Sequence, residues 1–152
     1  MVLVTLGTQK QSFERLLKYI ENSQLNGEII VQAGKTNFKS SKMKIFDYVP
    51  YERMYELIEN ADVIITHGGT GSIITPLKKG KKVIGCARLQ KYDEHIDDHQ
   101  LELVDTFFEN GYILKIDDET KLDDVISELE NFKPKKFESN SKVFIEHLKQ
   151  NI

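Results

Sequence analysis

The stretch His67-Gly68-Gly69-Thr70-Gly71-Ser72 combines three glycines with three side chains that can form hydrogen bonds. Glycine has no Cβ, so such a loop lets a ligand come close to the backbone. A helix predicted to follow it offers unpaired N–H groups and the positive end of its dipole, which favour a phosphate or diphosphate. A tight turn with a Ser or Thr cap accounts for the same residues without a ligand, and the motif alone leaves both interpretations open.

A second group of hydrogen-bonding residues runs from Tyr92 to Gln100, with the sequence Tyr-Asp-Glu-His-Ile-Asp-Asp-His-Gln. Asp97 or Asp98 can serve simply as the cap of the next helix. His95 and His99 have the i, i+4 spacing of a metal pair, but no HExxH order and no third dedicated ligand accompany them, so we predict no metal site. A dense polar cluster after a strand suits recognition of sugar hydroxyls, and a solvated loop is the alternative.

Six short apolar runs predict strands, and amphipathic segments between them predict helices. The predicted strands are residues 1–6, 28–33, 43–49, 61–66, 82–86 and 112–116. Helices are predicted after Ser12, which we expect as a cap, after Pro50, and over 73–79, 101–108 and 121–129.

This alternation predicts an α/β fold with a doubly wound parallel sheet that is covered on both faces. Ligands of such sheets bind at the carboxyl ends of the strands, near the switch in strand order. Gly7-Thr8, Gly34, His67–Ser72 and the loop after Cys86 all follow predicted strands. We therefore expect them to converge on one crevice.

The composition is that of a soluble globular protein: 152 residues, 39% hydrophobic and 30% charged. We expect one domain over residues 1–152. The net charge of -3 argues against general nucleic-acid binding. The single cysteine, Cys86, leaves no disulfide framework and is interpreted as a core residue. No secretory signal or membrane-spanning run is visible, so a cytoplasmic location is expected.

Taken in order, these motifs resemble the C-terminal domain of glycosyltransferase family 28. The resemblance rests on Gly7-Thr8 after the first strand, on His67–Ser72, on Lys78 to Ile84, and on Asp98 to Leu103. More narrowly, the chain resembles two groups of donor-binding subunits. One belongs to the two-part enzyme that adds the second GlcNAc to dolichol-linked oligosaccharide in eukaryotes. The other belongs to bacterial exopolysaccharide and capsule synthesis. The sequence from Glu94 to Gln100 is most similar to this second group.

The resemblance implies a Rossmann-like domain that forms one half, of the C-terminal type, of a GT-B fold divided between two chains. A complete enzyme of this kind needs two such domains, and 152 residues supply one. The implied activity is inverting transfer of a hexose or its derivative from a UDP-sugar to a lipid-linked saccharide, in capsule or exopolysaccharide synthesis. A membrane-anchored subunit would bind the acceptor and hold this chain at the inner face of the membrane. No cofactor and no metal are implied.

The resemblance also assigns residues to donor binding. Gly7 and Thr8 would lie near the diphosphate, and His67–Ser72 would hold the phosphates, the sugar or both. Thr75 stands where many relatives carry the Glu that binds the ribose, so bidentate recognition is lost. The general base is expected on the partner, with His67 as the alternative. The full donor-binding set is Gly7, Thr8, His67, Gly68, Gly69, Thr70, Gly71, Ser72, Thr75, Glu94, Asp98, His99 and Gln100.

Two alternatives remain open at this point. A non-catalytic, nucleotide-binding regulatory module of the Rossmann type has the same element pattern. An oxidoreductase is disfavoured because no GxGxxG follows the first strand.

At the C-terminus, residues 135–152 predict a helix with Phe144, Leu148 and Ile152 on one face. That stripe either packs back on its own domain or docks a partner.

Overall fold

A computed structural model describes residues 1–138 of the chain. Strands and helices alternate in this part, as the sequence predicts, except that a loop and no helix joins the second strand to the third. In chain order they are β1 Val2–Thr5, α1 Glu14–Glu21, β2 Ile29–Gln32, β3 Lys44–Phe46, α2 Tyr51–Asn60, β4 Val63–Thr66, α3 Thr70–Lys78, β5 Lys82–Gly85, a 3₁₀ turn Gln90–Tyr92, α4 His99–Glu109, β6 Leu114–Lys115 and α5 Leu122–Leu129.

The strands form one parallel sheet in the order β3-β2-β1-β4-β5-β6. This confirms the predicted doubly wound α/β class. The chain builds outward from β1 in one direction and then returns to add β4 on its other side. The switch in strand order therefore falls between β1 and β4, which is where such sheets bind ligands.

Alternate residues of each strand face opposite layers of helices. On one face Val4, Val31 and Ile65 pack against α1 and α5. On the other face Leu3 and Ile64 pack against α2, while Val83 packs against α3 and α4. Strands buried on both faces are apolar at consecutive positions, and this is why the predicted runs do not alternate with polar residues.

Several boundaries differ from the sequence prediction. The helix predicted over 73–79 begins at Thr70, so half of the glycine motif belongs to its first turn. Ser12 does not cap α1: the N-cap is Phe13, and no side chain caps it. The predicted strand 43–49 is shortened to Lys44–Phe46. Residues 135–138 are not helical, and the rest of the predicted helix, with Phe144, Leu148 and Ile152, lies outside the described residues.

Cys86 lies in the core with no exposed surface, as predicted. Burial raises the pKa of its thiol to about 12, so the thiol stays protonated and unreactive at neutral pH. Within residues 1–138, no helix has both the length and the apolar character needed to span a bilayer. In the same range, no group of three or more His, Cys, Asp or Glu side chains is arranged to hold a metal ion.

Candidate functional site

A cleft of about 380 Å³ opens at the carboxyl ends of β1 and β4, where the strand order switches. Thr5 and Thr66 end these two strands in register, and their hydroxyl oxygens are 2.6 Å apart. The cleft is bounded by the loop after β1, the loop after β3, α2 and the first turns of α3. Among the predicted site residues, the lining includes Gly7, Thr8, Gly71, Ser72 and Thr75.

The N-terminus of α3 faces this cleft. The first hydrogen bond within the helix runs from the Ile73 N–H to the Gly69 carbonyl at 3.2 Å. The N–H groups of Thr70, Gly71 and Ser72 lie in the first turn of the helix, where no carbonyl of a preceding turn is available to accept their hydrogen bonds. A Cβ added to Gly71 would meet no atom within 4 Å. Open space therefore lies directly beside three N–H donors and the positive end of the helix dipole.

The opposite side of the cleft is aromatic and apolar. Tyr48, Tyr51 and Tyr55 contribute to it, and Met54 and Ile58 of α2 lie beside them. Tyr51 is 78% exposed, which is unusual for a large aromatic side chain whose burial would be favourable. The cleft thus has a flat apolar side and a side of hydrogen-bond donors, and Thr75 supplies a further hydroxyl from the second turn of α3.

His67 is buried directly behind the N-terminus of α3, with 3% of its surface exposed. Its Nδ1 accepts a hydrogen bond from the Gly69 N–H at 3.1 Å, and its Nε2 lies 3.1 Å from the Ser72 Oγ. Burial, followed by the nearby Arg88 charge, lowers the pKa of the ring to about 4. The imidazole is therefore neutral at pH 7, and it has no unshared nitrogen facing the cleft with which to accept a proton.

Gln100 joins the first turn of α4 to this loop. Its Oε1 accepts hydrogen bonds from the N–H groups of Gly68 at 3.0 Å and Arg88 at 3.2 Å. Its Nε2 lies 3.2 Å from the Nδ1 of His67. Gln100 is 3% exposed and does not line the cleft.

Internal packing explains two of the loop glycines. A Cβ on Gly69 would lie 2.3 Å from the Cε1 of His67, and one on Gly68 would lie 2.6 Å from the Cβ of Gln100. Both positions need glycine because the protein itself fills the space. Of the three glycines in the motif, Gly71 is the one that leaves room for a ligand.

Gly7 is held in a left-handed conformation, with φ of 85°. The side chain of Gln32 donates to the Gly7 carbonyl at 3.0 Å and accepts from the Gly7 N–H at 3.2 Å. This clamp fixes the turn after β1 against β2 but occupies the Gly7 N–H. Gly7 therefore shapes the cleft, and the exposed Thr8 is the residue of this pair whose side chain is open to solvent.

Glu94 is buried on the far side of the loop after β5 and does not line the cleft. Its two carboxylate oxygens accept from the Nε and Nη2 of Arg15 at 3.0 and 2.9 Å, and one also accepts from the Leu89 N–H. The arrangement is a bidentate ion pair between α1 and that loop. Glu94 was expected to bind the donor, but here its carboxylate is used within the protein.

Arg88 connects the same loop to the turn after β1. Its guanidinium donates to the carbonyls of Leu6, Gln11 and Glu94, and only 1% of the residue is exposed. Three backbone carbonyls from two loops thus share one buried cation. Arg88 fixes the two loops relative to one another at the edge of the site.

Asp98 and His99 lie at the start of α4 and are not brought into the cleft. Asp98 Oδ1 accepts from the Gln90 N–H at 2.9 Å, and Asp97 Oδ1 accepts from the His99 N–H at 3.0 Å. The nearby Asp97 thus provides the helix-terminal contact that was expected of either aspartate. Donor contacts by Asp98 and His99 remain a prediction.

Gln32, Arg88 and the three cleft tyrosines are site residues that were not predicted from the sequence. Gln32 and Arg88 are polar residues beside apolar strand runs, and such residues are rarely buried unless they are paired. That signal marks their positions but does not reveal their partners. The tyrosines sit in or beside an amphipathic helix, where aromatic residues are most simply interpreted as packing.

The sequence profile of the glycosyltransferase family 28 C-terminal domain matches residues 1–152. The UDP-N-acetylglucosamine transferase subunit ALG13 of Saccharomyces cerevisiae is 33% identical to this chain over 75 residues. That match covers 49% of this chain and 35% of the yeast protein, so the chain aligns with about a third of its curated relative's length.

Two solved structures have the same fold. The NMR solution structure of ALG13 has a TM-score of 0.63 and 22% identity, covering 97% of this chain and 93% of that chain. The glycotransferase of kitacinnamycin has a TM-score of 0.55 and 20% identity, covering 98% of this chain and 37% of that chain. The fold described above therefore forms nearly all of the first protein and only part of the second.

Proposed function

Because the chain belongs to the glycosyltransferase family 28 C-terminal domain family, we propose that it is the donor-binding half of a two-component glycosyltransferase. The observation that carries the proposal is the N-terminus of α3. Its unpaired N–H groups open onto a cleft whose other side is aromatic. A nucleoside diphosphate has the matching shape, with a flat base at one end and an anion at the other.

In this proposal the diphosphate binds the N–H groups of Thr70, Gly71 and Ser72, with the hydroxyls of Ser72 and Thr8 beside it. The base packs against the tyrosine side of the cleft, and Thr75 donates to a ribose hydroxyl. We favour a UDP-sugar because the yeast relative is a UDP-N-acetylglucosamine transferase subunit. The Thr75 hydroxyl can form one hydrogen bond to the ribose, where a carboxylate would form two.

The chemistry would be inverting transfer of a hexose or its derivative. An acceptor hydroxyl attacks the anomeric carbon, the bond from that carbon to the diphosphate breaks, and a base takes the hydroxyl proton. Negative charge develops on the departing diphosphate, and the positive end of α3 stabilises it there. The buried, neutral His67 has no nitrogen free to act as the base, so we assign that role to the acceptor-binding partner.

We propose that a second chain supplies the acceptor-binding half. One Rossmann-like domain supplies one half of a GT-B enzyme, and the kitacinnamycin glycotransferase devotes 37% of its chain to the part that resembles this protein. We propose that a membrane-anchored subunit binds a lipid-linked saccharide and holds this chain at the inner face of the membrane. The polysaccharide would be a capsule or exopolysaccharide. This part of the proposal rests on the resemblance of the segment from Glu94 to Gln100 to the bacterial group of donor-binding subunits.

Calorimetric titration and thermal shift with a panel of nucleotides test the binding step. UDP and at least one UDP-sugar should raise the melting temperature, because a ligand that binds only the folded state stabilises it. Gly71→Leu should abolish this binding: its side chain projects into the open space beside the N–H groups and meets no protein atom at Cβ. Lys78→Leu, at the other end of α3, is the matched control and should bind as the wild type does.

A rise in melting temperature only with ATP or NAD would favour the regulatory module and contradict the proposal.

The division of the active site between two chains has its own test. The purified chain should transfer sugar to an acceptor only when the acceptor-binding subunit is added. Robust transfer by this chain alone would exclude a divided active site.

A further inference from the structure

We propose that Gln100 and His67 are positioning residues that hold the Ser72 hydroxyl as a hydrogen-bond donor toward the diphosphate of the nucleotide sugar. This inference rests on the proposed function of the cleft and goes beyond it. It gives a role to two buried residues, one on α4 and one after β4, that do not line the cleft themselves.

The orientation of the Gln100 side chain is set by two backbone groups. The N–H groups of Gly68 and Arg88 can only donate, and both point at the same Gln100 oxygen at 3.0 and 3.2 Å. That atom is therefore the carbonyl oxygen, and the atom 3.2 Å from His67 Nδ1 is the amide nitrogen, a donor.

The position of the proton on His67 follows from the same argument. Nδ1 faces two donors, the Gly69 N–H at 3.1 Å and the Gln100 amide, so it must be the unprotonated nitrogen. A neutral imidazole then carries its proton on Nε2. This N–H is 3.1 Å from the Ser72 Oγ and donates to it.

The position of the His67 proton determines the direction in which the Ser72 hydroxyl donates its hydrogen bond. Because its oxygen accepts from His67, its own proton is free to point into the cleft that Ser72 lines. A phosphate oxygen only accepts, so this orientation suits the proposed ligand. With the proton on Nδ1 instead, Ser72 would donate to His67 and turn a lone pair toward the diphosphate.

Gln100→Glu reverses this arrangement with little change in shape. The carboxylate still accepts from the Gly68 and Arg88 N–H groups, but its second oxygen now faces Nδ1 and favours a proton there. This charged acceptor outweighs the neutral Gly69 N–H, which then loses its acceptor. Above the pKa of His67 in this variant, the proton sits on Nδ1 and Ser72 is turned away from the ligand. Below that pKa the ring is a cation with protons on both nitrogens, and Ser72 is restored as a donor. Two other titratable side chains act on the ring, Arg88 and His95, and both oppose its protonation.

The test is the affinity for UDP-GlcNAc measured by calorimetry between about pH 5.5 and 8.5, where the esterified diphosphate keeps a constant charge. The wild type should be flat over this range. Ser72→Ala should bind about tenfold more weakly at every pH, since it loses one hydrogen bond to a charged group. Gln100→Glu should match Ser72→Ala at high pH and recover toward the wild type at low pH.

We call the hydrogen bonds from Gln100 through His67 to Ser72 the relay. Two further variants distinguish the relay from a general effect of an added negative charge. Leu101→Glu places the same charge one residue along α4, on a side chain that is 37% exposed, and should show no such recovery. Adding Ser72→Ala to Gln100→Glu should erase the pH dependence. An affinity loss in Gln100→Glu that is equal at all pH values, or that persists in full alongside Ser72→Ala, would overturn the proposal.

Imidazole ¹⁵N spectra of His67 provide a second measurement that needs no ligand. The wild type should show the neutral form protonated at Nε2 throughout the same pH range, whereas Gln100→Glu should show a protonated Nδ1. A wild-type ring protonated at Nδ1 would also overturn the relay. If the wild type binds no nucleotide sugar, the proposed function fails. If it binds one but the Gln100→Glu profile is flat, the relay alone fails.

Discussion

Protonation of His67 should make the fold less stable between pH 6.5 and 4. The ring is almost fully buried, and burial together with the Arg88 charge lowers its pKa from 6.5 to about 4. As the pH falls, the unfolded chain therefore binds a proton before the folded chain does. The stabilisation is complete above pH 6.5 and is lost as the pH falls through 4. At about 1.4 kcal/mol for each pH unit, the interval between the two pKa values corresponds to about 3 kcal/mol.

The assay is urea unfolding followed by far-UV circular dichroism at pH 7.5, 6.5, 5.5 and 4.5, for the wild type and His67→Asn. The asparagine carbonyl can still accept from the Gly69 N–H but does not titrate. Groups other than His67 are common to both proteins, so the difference between their free energies of unfolding isolates the imidazole. We expect the wild type to lose about 2.5 kcal/mol more than the variant over this range, because the lowest pH still lies above the folded-state pKa of about 4. Parallel stability curves would refute the assignment of a buried, neutral ring.

Two further substitutions test the surroundings of the site. Glu94→Ala should lower the free energy of unfolding by about 2 kcal/mol in urea titrations, because the largely buried Arg15 guanidinium loses its buried bidentate partner and keeps only the more exposed carboxylate of Asp118, at 3.1 Å. The double variant Arg15→Met/Glu94→Leu should be more stable than Glu94→Ala, and a single variant that matches the wild type would contradict the pairing. Tyr51→Ala should weaken UDP binding about tenfold with little change in melting temperature, since its ring is largely exposed and its one ring contact within the described residues is with Tyr55, at 6.2 Å between centroids. Tyr92→Ala, at an exposed tyrosine outside the cleft, should bind as the wild type does.

The fold was predictable because its signal is local. Runs such as Val63–Thr66 are largely apolar at consecutive positions, and all but the second and third are separated by a helical pattern, which indicates a parallel sheet and its helices. The start of α3 was missed because Gly71 has a poor helix propensity and suggested a loop. At a helix terminus that cost is small, and the helix begins at Thr70.

The parts of the site that were not predicted depend on contacts between distant residues. Glu94 and Gln100 are both polar residues in a polar stretch, which gives no indication that either is buried. Their burial depends on Arg15, 79 positions from Glu94, and on His67, 33 positions from Gln100. The charge state of the His67 ring likewise follows from three-dimensional neighbours. A resemblance could therefore place these residues near the site, but only the structure separates those that line the cleft from those that support it.

The N-terminus of α3 and the cleft beside it are proposed to bind a nucleoside diphosphate. An amide NMR titration of the ¹⁵N-labelled chain with UDP and UDP-GlcNAc tests this binding most directly. The largest shifts should fall on the amides of Thr70, Gly71 and Ser72, with Thr75 and the tyrosine side of the cleft next. The surface beside Asp118, which has a depression of about 330 Å³ of its own, should remain unchanged. Shifts centred on Asp118, or none at millimolar nucleotide, would show that the N-terminus of α3 is not the nucleotide site.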